Sequence, residues 1–201
     1  MRRMQHARRV ALIVMLTAGT AAAQGAAQKA QPTKPGAQAP EVEISAGAGP
    51  IVVVETEKGT FEFETYPNEA PRTVKHVLTL IQKRFYNGQR FHRVIPGFVI
   101  QVGDPKSRDL ANKEVWGSGN SGTAIGVSEV SKLRRHVRGA VGIAFADDAR
   151  NADSQFYVTL SPQPQLDKQY TVFGKVISGM DVVGKIVLGD RVTRVTVKEA
   201  K

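Results

Sequence analysis

The stretch "FHRVIPGFVIQVGD", residues 91–104, contains two apolar segments separated by Pro96 and Gly97. Proline followed by glycine is typical of a turn, so the pattern predicts two short strands joined at that point. Arg93 and Gln101 lie inside these otherwise apolar strands. A guanidinium and an amide are costly to bury without hydrogen-bond partners, so core packing alone does not explain the pair.

A β-hairpin is predicted upstream of this stretch. The segments "IVVVET" and "TFEFET", residues 51–56 and 60–65, flank a short turn with the sequence "EKG". Phe61 and Phe63 alternate with glutamates, as expected of a strand with one buried face and one solvated face.

The period then changes from that of a strand to that of a helix. Apolar residues recur at the spacing i, i+3, i+4, i+7 in Val74, Val77, Leu78 and Ile81. This spacing predicts an amphipathic helix, and Pro71 suits its first turn. A second short helix is predicted over residues 179–187, with its apolar side formed by Met180, Val183 and Val187.

The remainder of the chain is predicted to be mostly β-structure. Further strands are expected over residues 140–145, 155–160, 171–177 and 191–198. Residues 105–130 hold many Gly and Ser and few apolar side chains, so they are predicted as a long surface loop, and such loops often carry function. Eight strands with mostly short connections favour antiparallel pairing in a closed barrel or a sandwich, and the two helices would cover the open ends of a barrel.

The N-terminal region has the organisation of an export signal followed by a tether. Residues 1–23 combine a basic start, a short apolar run and the small-residue site Ala21-Ala22-Ala23, which predicts a cleaved signal peptide and a periplasmic or secreted protein. The apolar run is too short to predict a membrane span. Residues 24–49 are rich in Ala, Gln, Gly and Pro and are predicted as a flexible linker. Residues 50–198 are predicted as the folded domain.

Composition narrows the chemistry of this 201-residue chain. There is no cysteine, which excludes disulfides, thiolate metal sites and cysteine nucleophiles, and the four histidines lack the spacing of metal ligands. The net charge is +10, of which the first 23 residues contribute +4. The densest basic run, residues 132–139, contains no aromatic residue for stacking on bases, so we predict no nucleic-acid partner.

Three motifs together resemble the cyclophilin family of peptidyl-prolyl cis–trans isomerases. They are the opening stretch, "SQFYV" at residues 154–158 and "LDKQYTVFGKV" at residues 166–176, with "FYNG", "RGAVGIA" and "VISGMDVV" around them. The resemblance extends over residues 51–197. It implies a mainly β fold, a closed eight-stranded antiparallel β-barrel capped by two α-helices, and an isomerase that needs no cofactor or metal.

The resemblance also assigns roles to individual residues. Arg93 matches the catalytic arginine of the family, and Gln101 matches the glutamine that hydrogen-bonds the substrate backbone. The proline-ring pocket is matched by Phe98, Val99, Tyr157 and Leu166. Further groove positions are matched by Ala144, Phe145, Gln155 and Tyr170. Gln165 replaces a tryptophan that in many relatives helps to bind cyclosporin, so we predict weak inhibition by that drug.

Three functions therefore stay open at the level of sequence. The first is an exported prolyl isomerase that acts on proline-containing unfolded or partly folded polypeptides. The second is a non-catalytic cyclophilin-like module that binds such segments as a chaperone. The third is a basic β-barrel that binds nucleic acid. For the folded domain we expect a monomer.

Overall fold

The structure is a computed structural model that describes residues 49–198. Its first four strands are β1 (Ile51–Thr56), β2 (Gly59–Thr65), β3 (Arg93–Ile95) and β4 (Val99–Val102). The other four are β5 (Ala140–Ile143), β6 (Phe156–Thr159), β7 (Val172–Ser178) and β8 (Val192–Lys198). The two α-helices are α1 (Pro71–Gln82) and α2 (Met180–Val183). The predicted strands are therefore confirmed in number and place.

All eight strands belong to one antiparallel sheet, curled into a half-barrel, in the order β3-β4-β6-β5-β7-β2-β1-β8. The closed barrel expected from the resemblance is not what the structure shows, because β3 and β8 are the two edges and do not pair. Strand β3 starts only at Arg93 and does not pair with β8. Residues 88–91, which precede β3, form backbone hydrogen bonds with residues 189–192, just before and at the start of β8. This contact includes a single β-bridge between Arg90 and Arg191.

The inner face of the sheet is covered by aromatic and branched side chains. Phe61 and Phe63 of β2 are fully buried, as their alternation with glutamates predicts. The ring of Phe63 packs 5.9 Å from that of Phe156 and 6.1 Å, edge to face, from that of Phe173. These three rings come from β2, β6 and β7, so the aromatic cluster links strands that are distant along the chain.

The helices follow the sequence prediction with two differences. Helix α1 starts at Pro71 and buries Val74, Val77 and Ile81 as predicted, but Leu80 is buried more deeply than Leu78. The second helix is shorter than expected. It ends at Val183, with Gly184 as its C-terminal cap. Val187 lies in the connection to β8 with more than half of its surface exposed.

Several predictions fall on residues outside the described range. The signal peptide at residues 1–23 and all of the predicted linker except Gly49 lie there. Within residues 49–198, no helix is long and apolar enough to cross a membrane.

Candidate active site

The strand register places four residues in one row across the sheet. Arg93 of β3 pairs with Gln101 of β4, Gln101 pairs with Tyr157 of β6, and Tyr157 pairs with Gly142 of β5. Residues directly opposite each other in antiparallel strands share a face of the sheet. The row therefore projects away from the core and spans about 14 Å at the usual spacing between strands.

A groove of about 560 Å³ lies over this row. All ten residues predicted from the sequence line it: Arg93, Phe98, Val99, Gln101, Ala144, Phe145, Gln155, Tyr157, Leu166 and Tyr170. The structure thus brings together residues separated by almost 80 positions in the chain. We call the part formed by Phe98, Val99, Tyr157 and Leu166 the apolar notch.

Arg93 lies at the edge of the apolar notch and is an exposed residue. Its Nη1 donates to Oε1 of Gln101 at 3.2 Å, and its Cζ lies 5.5 Å from the centroid of the Phe98 ring. Both partners are electrically neutral. Within the described part of the chain, Arg93 forms no ion pair, so its positive charge is not offset by a carboxylate.

Gln101 is held by a second glutamine. Its Nε2 donates to Oε1 of Gln155 at 2.9 Å, while Nε2 of Gln155 donates to the carbonyl oxygens of Gly117 at 2.9 Å and Gly119 at 2.7 Å. Each amide oxygen and nitrogen has a defined role in this chain of bonds. The side chains therefore point Oε1 of Gln101 at the guanidinium of Arg93.

A buried carboxylate organises the loop that provides those two carbonyls. Asp104 is fully buried and accepts hydrogen bonds from the backbone N–H groups of Lys106 and Gly117. A Cβ at Gly119 would lie only 2.1 Å from Oδ1 of Asp104, so glycine is required at that position. The loop contains two 3₁₀ turns, Pro105–Arg108 and Leu110–Val115. The sequence predicted a surface loop here, without any indication that the loop backbone supports the groove.

His92 supports the same amide chain. Its Nε2 lies 3.1 Å from Oε1 of Gln155, and burial lowers the pKa of His92 although the nearby Asp104 opposes this effect. The imidazole is therefore neutral near pH 7, and Nε2–H is the donor because an amide oxygen can only accept. His92 does not itself line the groove, so it supports the site through Gln155.

Aromatic rings form the opposite wall of the groove. Phe145 stacks on Tyr170 with their centroids 4.6 Å apart, and Tyr170 meets Tyr157 edge to face at 6.1 Å. Tyr157 is 5% exposed, and burial raises the pKa of its hydroxyl far above the usual value. A Cβ at Gly142 would lie 2.4 Å from the Tyr157 ring, so this glycine creates the space that the ring occupies.

Two residues behind Tyr157 were not predicted as part of the site. His136 Nε2 lies 2.8 Å from the Tyr157 hydroxyl, and its Nδ1 lies 3.0 Å from Oδ1 of Asp167. Asp167 follows Leu166 directly in the motif "LDKQY", which was the available indication. Among residues 49–198 there is no group of three or more His, Asp or Glu side chains suited to a metal ion.

Comparison with known proteins agrees with this geometry. Residues 51–201 match the family described as cyclophilin type peptidyl-prolyl cis-trans isomerase/CLD. A probable peptidyl-prolyl cis-trans isomerase of Brucella abortus is 38% identical over 162 residues, which cover 78% of this chain and 82% of that protein. The isomerase CYP18-2 of Arabidopsis thaliana is 35% identical over 141 residues, covering 70% and 82% of the two chains.

Solved structures show the same fold. A cyclophilin-type isomerase of Cryptosporidium parvum superposes with a TM-score of 0.66 at 25% identity, over 76% of this chain and 99% of that one. The cyclophilin AquaCyp293 of Hirschia baltica superposes with a TM-score of 0.63 at 19% identity, over 75% and 74%. With the family matched along most of its length, this chain belongs to the cyclophilin-type peptidyl-prolyl cis–trans isomerases.

Proposed function

We propose that Arg93 is the catalytic residue of this isomerase and that it acts by donating a hydrogen bond to the prolyl nitrogen. The observation that carries the proposal is the uncompensated charge of Arg93 beside the apolar notch. Its Nη1 contacts a neutral amide oxygen, and Phe98 lies under the guanidinium. The remaining N–H groups of the guanidinium are available to a ligand in the groove.

The chemistry of the X–Pro bond explains why such a donor accelerates rotation. In the planar amide the nitrogen shares its lone pair with the carbonyl, which makes uncatalysed isomerisation take tens to hundreds of seconds. In the twisted transition state that sharing is lost, and the nitrogen becomes a better acceptor. A fixed guanidinium therefore binds the twisted amide more strongly than either planar form, and this difference is catalysis.

Several groups in the groove together stabilise the twisted transition state. A rate enhancement of about a millionfold corresponds to roughly 8 kcal/mol. One well-placed donor contributes about 2.7–4 kcal/mol, by analogy with oxyanion donors. The rest comes from contacts of Gln101 and the groove with the substrate backbone that strengthen as the preceding carbonyl turns, while the apolar notch holds the proline ring equally in the planar and twisted states. No proton is transferred in this scheme, and no cofactor takes part.

Proline-containing polypeptides are the proposed substrates. The groove combines an apolar notch of suitable chemistry for a pyrrolidine ring with the polar side chains of Arg93 and Gln101. A structure of the Cryptosporidium parvum relative was determined in the presence of the dipeptide Ala-Pro. We propose the same substrate class for this chain, with Phe145, Gln155 and Tyr170 contacting the residues that flank proline.

A protease-coupled assay on an Ala-Pro peptide tests the proposal. The purified protein should accelerate cis-to-trans conversion well above the spontaneous rate, and Arg93→Ala should remove most of that acceleration. Measurable peptide binding without turnover by the wild-type protein would instead favour the chaperone-like module.

We further propose that the substrates are exported proteins and that the enzyme works as a monomer in the periplasm or outside the cell. The support for export is the sequence of residues 1–23, with its basic start, short apolar run and small-residue cleavage site. N-terminal sequencing of the protein recovered from the periplasmic fraction should give Gln24 as the first residue. A retained Met1 in that fraction would contradict signal cleavage.

A further inference from the structure

A buried chain of three polar side chains lies behind the apolar notch. His136 is 2% exposed and occupies its centre. Its Nε2 is 2.8 Å from the hydroxyl of Tyr157, and its Nδ1 is 3.0 Å from Oδ1 of Asp167. The backbone N–H of His136 also donates to Oδ1 of Asp167 at 2.8 Å, and Arg135 donates to the other carboxylate oxygen at 3.3 Å.

The protonation of these groups assigns a direction to each hydrogen bond. Burial lowers the pKa of His136 although Asp167 opposes the effect, so the imidazole is neutral near pH 7. Burial alone would raise the pKa of Asp167, but hydrogen bonds from His136 and Arg135 outweigh it and lower that pKa. Asp167 is therefore an acceptor, Nδ1–H of His136 is a donor, and Nε2 is left to accept from the Tyr157 hydroxyl.

The hydrogen bond to His136 holds the hydroxyl end of the Tyr157 ring, which is otherwise positioned by packing. The ring lies over the backbone of Gly142, where a Cβ would be only 2.4 Å away, and it meets the partly exposed Tyr170 edge to face. The His136 and Tyr157 rings are nearly parallel, with an interplanar angle of 18° and centroids 6.0 Å apart, so the two groups meet end to end through the hydroxyl bond. That bond therefore helps to determine where the Tyr157 ring lies in the apolar notch.

Asp167, the last member of this hydrogen-bonded series, is next to a residue of the groove wall. Asp167 follows Leu166, which is the last residue of the 3₁₀ turn Pro164–Leu166 and lines the apolar notch. Anchoring Asp167 to His136 therefore constrains Leu166 as well. Two walls of the apolar notch, on β6 and on this turn, are tied together through one imidazole.

We infer that His136 and Asp167 are positioning residues that hold Tyr157 and Leu166 at the spacing that binds a proline ring. This inference rests on the proposed use of the apolar notch for proline. Because the ring is gripped in both planar and twisted states, loss of the positioning weakens substrate binding uniformly. Loss of this positioning should therefore raise KM and leave kcat almost unchanged.

The test is a double-mutant cycle measured on an Ala-Pro peptide. Tyr157→Phe keeps the ring but removes the bond to His136, and we expect KM to rise about fivefold, the factor that a single net hydrogen bond represents. His136→Phe removes the centre of the chain and should raise KM about tenfold. Because both changes break the same bond, the double variant should resemble His136→Phe rather than reach the product of about fiftyfold.

Either of two results in the cycle would overturn the inference: an unchanged KM in Tyr157→Phe, or multiplicative effects in the double variant. If His136→Phe does not fold, His136→Asn replaces it, since its amide can still donate to Asp167 but does not reach Tyr157. The matched control is Tyr86→Phe, because the Tyr86 hydroxyl also makes one buried hydrogen bond, 3.1 Å to the carbonyl of Ser154, and the ring does not line the groove. It should lose stability but keep the wild-type KM, so an equal rise in KM in that control would also count against positioning.

Arg93→Ala, measured alongside, separates this inference from the proposed mechanism. Lost turnover in Arg93→Ala together with an unchanged KM in Tyr157→Phe would remove the positioning role and leave the mechanism intact. Unchanged turnover in Arg93→Ala together with the expected KM pattern would remove the mechanism and leave the positioning role.

Discussion

Replacing Arg93 by alanine is the most direct test of the mechanism. The side chain is exposed on β3, the edge strand, and its contacts are one hydrogen bond to Gln101 and the face of Phe98. A surface substitution of this kind changes the free energy of unfolding by about 1 kcal/mol or less. Any large loss of activity in Arg93→Ala therefore reflects the chemistry of the groove and not unfolding.

The expected fall in kcat follows from the hydrogen bond that the guanidinium donates in the transition state. Removing one donor to a charge-developing transition state costs about 2.7–4 kcal/mol, or a factor of 10² to 10³ in kcat. Because water reaches Arg93, the lower end of that range applies, and we expect kcat to fall about 100-fold. Loss of the contact with Phe98 removes a cation–π interaction of about 0.5–1 kcal/mol and raises KM by no more than about fivefold.

The assay is the protease-coupled isomerisation of an Ala-Pro peptide, with stability followed by urea denaturation. Arg108→Ala is a control for loss of a cation–π contact, because Cζ of Arg108 lies 5.8 Å from the centroid of Phe85 and Arg108 does not line the groove. Since Arg108 also donates to the carbonyl oxygens of Asn87 and Phe85, the variant should lose stability while keeping kcat. Arg93→Lys keeps the charge and loses the planar fork, so it should retain intermediate activity. A kcat for Arg93→Ala within threefold of the wild-type value would refute the mechanism.

Three further changes probe other parts of the site. Gly142→Ala would place a Cβ 2.4 Å from the Tyr157 ring. We expect the free energy of unfolding to fall by about 1–3 kcal/mol and KM to rise severalfold. Wild-type values of both quantities would contradict this packing. Burial lowers the pKa of His92 and His136 below 6.5, so the unfolded chain binds more protons. The free energy of unfolding, measured in urea, should therefore be highest above about pH 6.5 and fall as the pH drops, by at most about 1.4 kcal/mol per pH unit for each histidine, whereas a flat profile would show that these pKa values are normal. Gln165 stands where many relatives have tryptophan, so cyclosporin should inhibit weakly, and strong inhibition at nanomolar drug would disprove this.

The local patterns of the sequence predicted most of the fold. The period-two alternation of β2 and the helical stripe of α1 depend on burial of neighbouring side chains, which a short window of sequence records directly. The family resemblance carried by the three motifs predicted ten site residues, and all ten line one groove. Their roles in catalysis and binding stay predictions until the variants are assayed.

Features that depend on distant contacts could not be predicted in the same way. Whether β3 meets β8 is decided by residues 88–91, whose backbone bonds to residues 189–192 give no periodic pattern. The carbonyls of Gly117 and Gly119 that hold Gln155 carry no side-chain information at all. His136 is 21 residues from Tyr157 in the chain, and an isolated histidine in a basic run does not indicate a buried hydrogen bond.

The register of the sheet explains how a polar site can be built on strands that look like core. The row next to the site on the same strands consists of Val94, Ile100, Val158 and Val141, which are paired in that order and packed in the core. Because side chains alternate between the two faces, a slip by one residue would turn the guanidinium of Arg93 inward and the valines outward. The energy that buries the apolar row thus also fixes the orientation of Arg93, Gln101 and Tyr157. Selection for a stable sheet and selection for an active groove act on the same alternation, so a variant that shifts the register should lose both together.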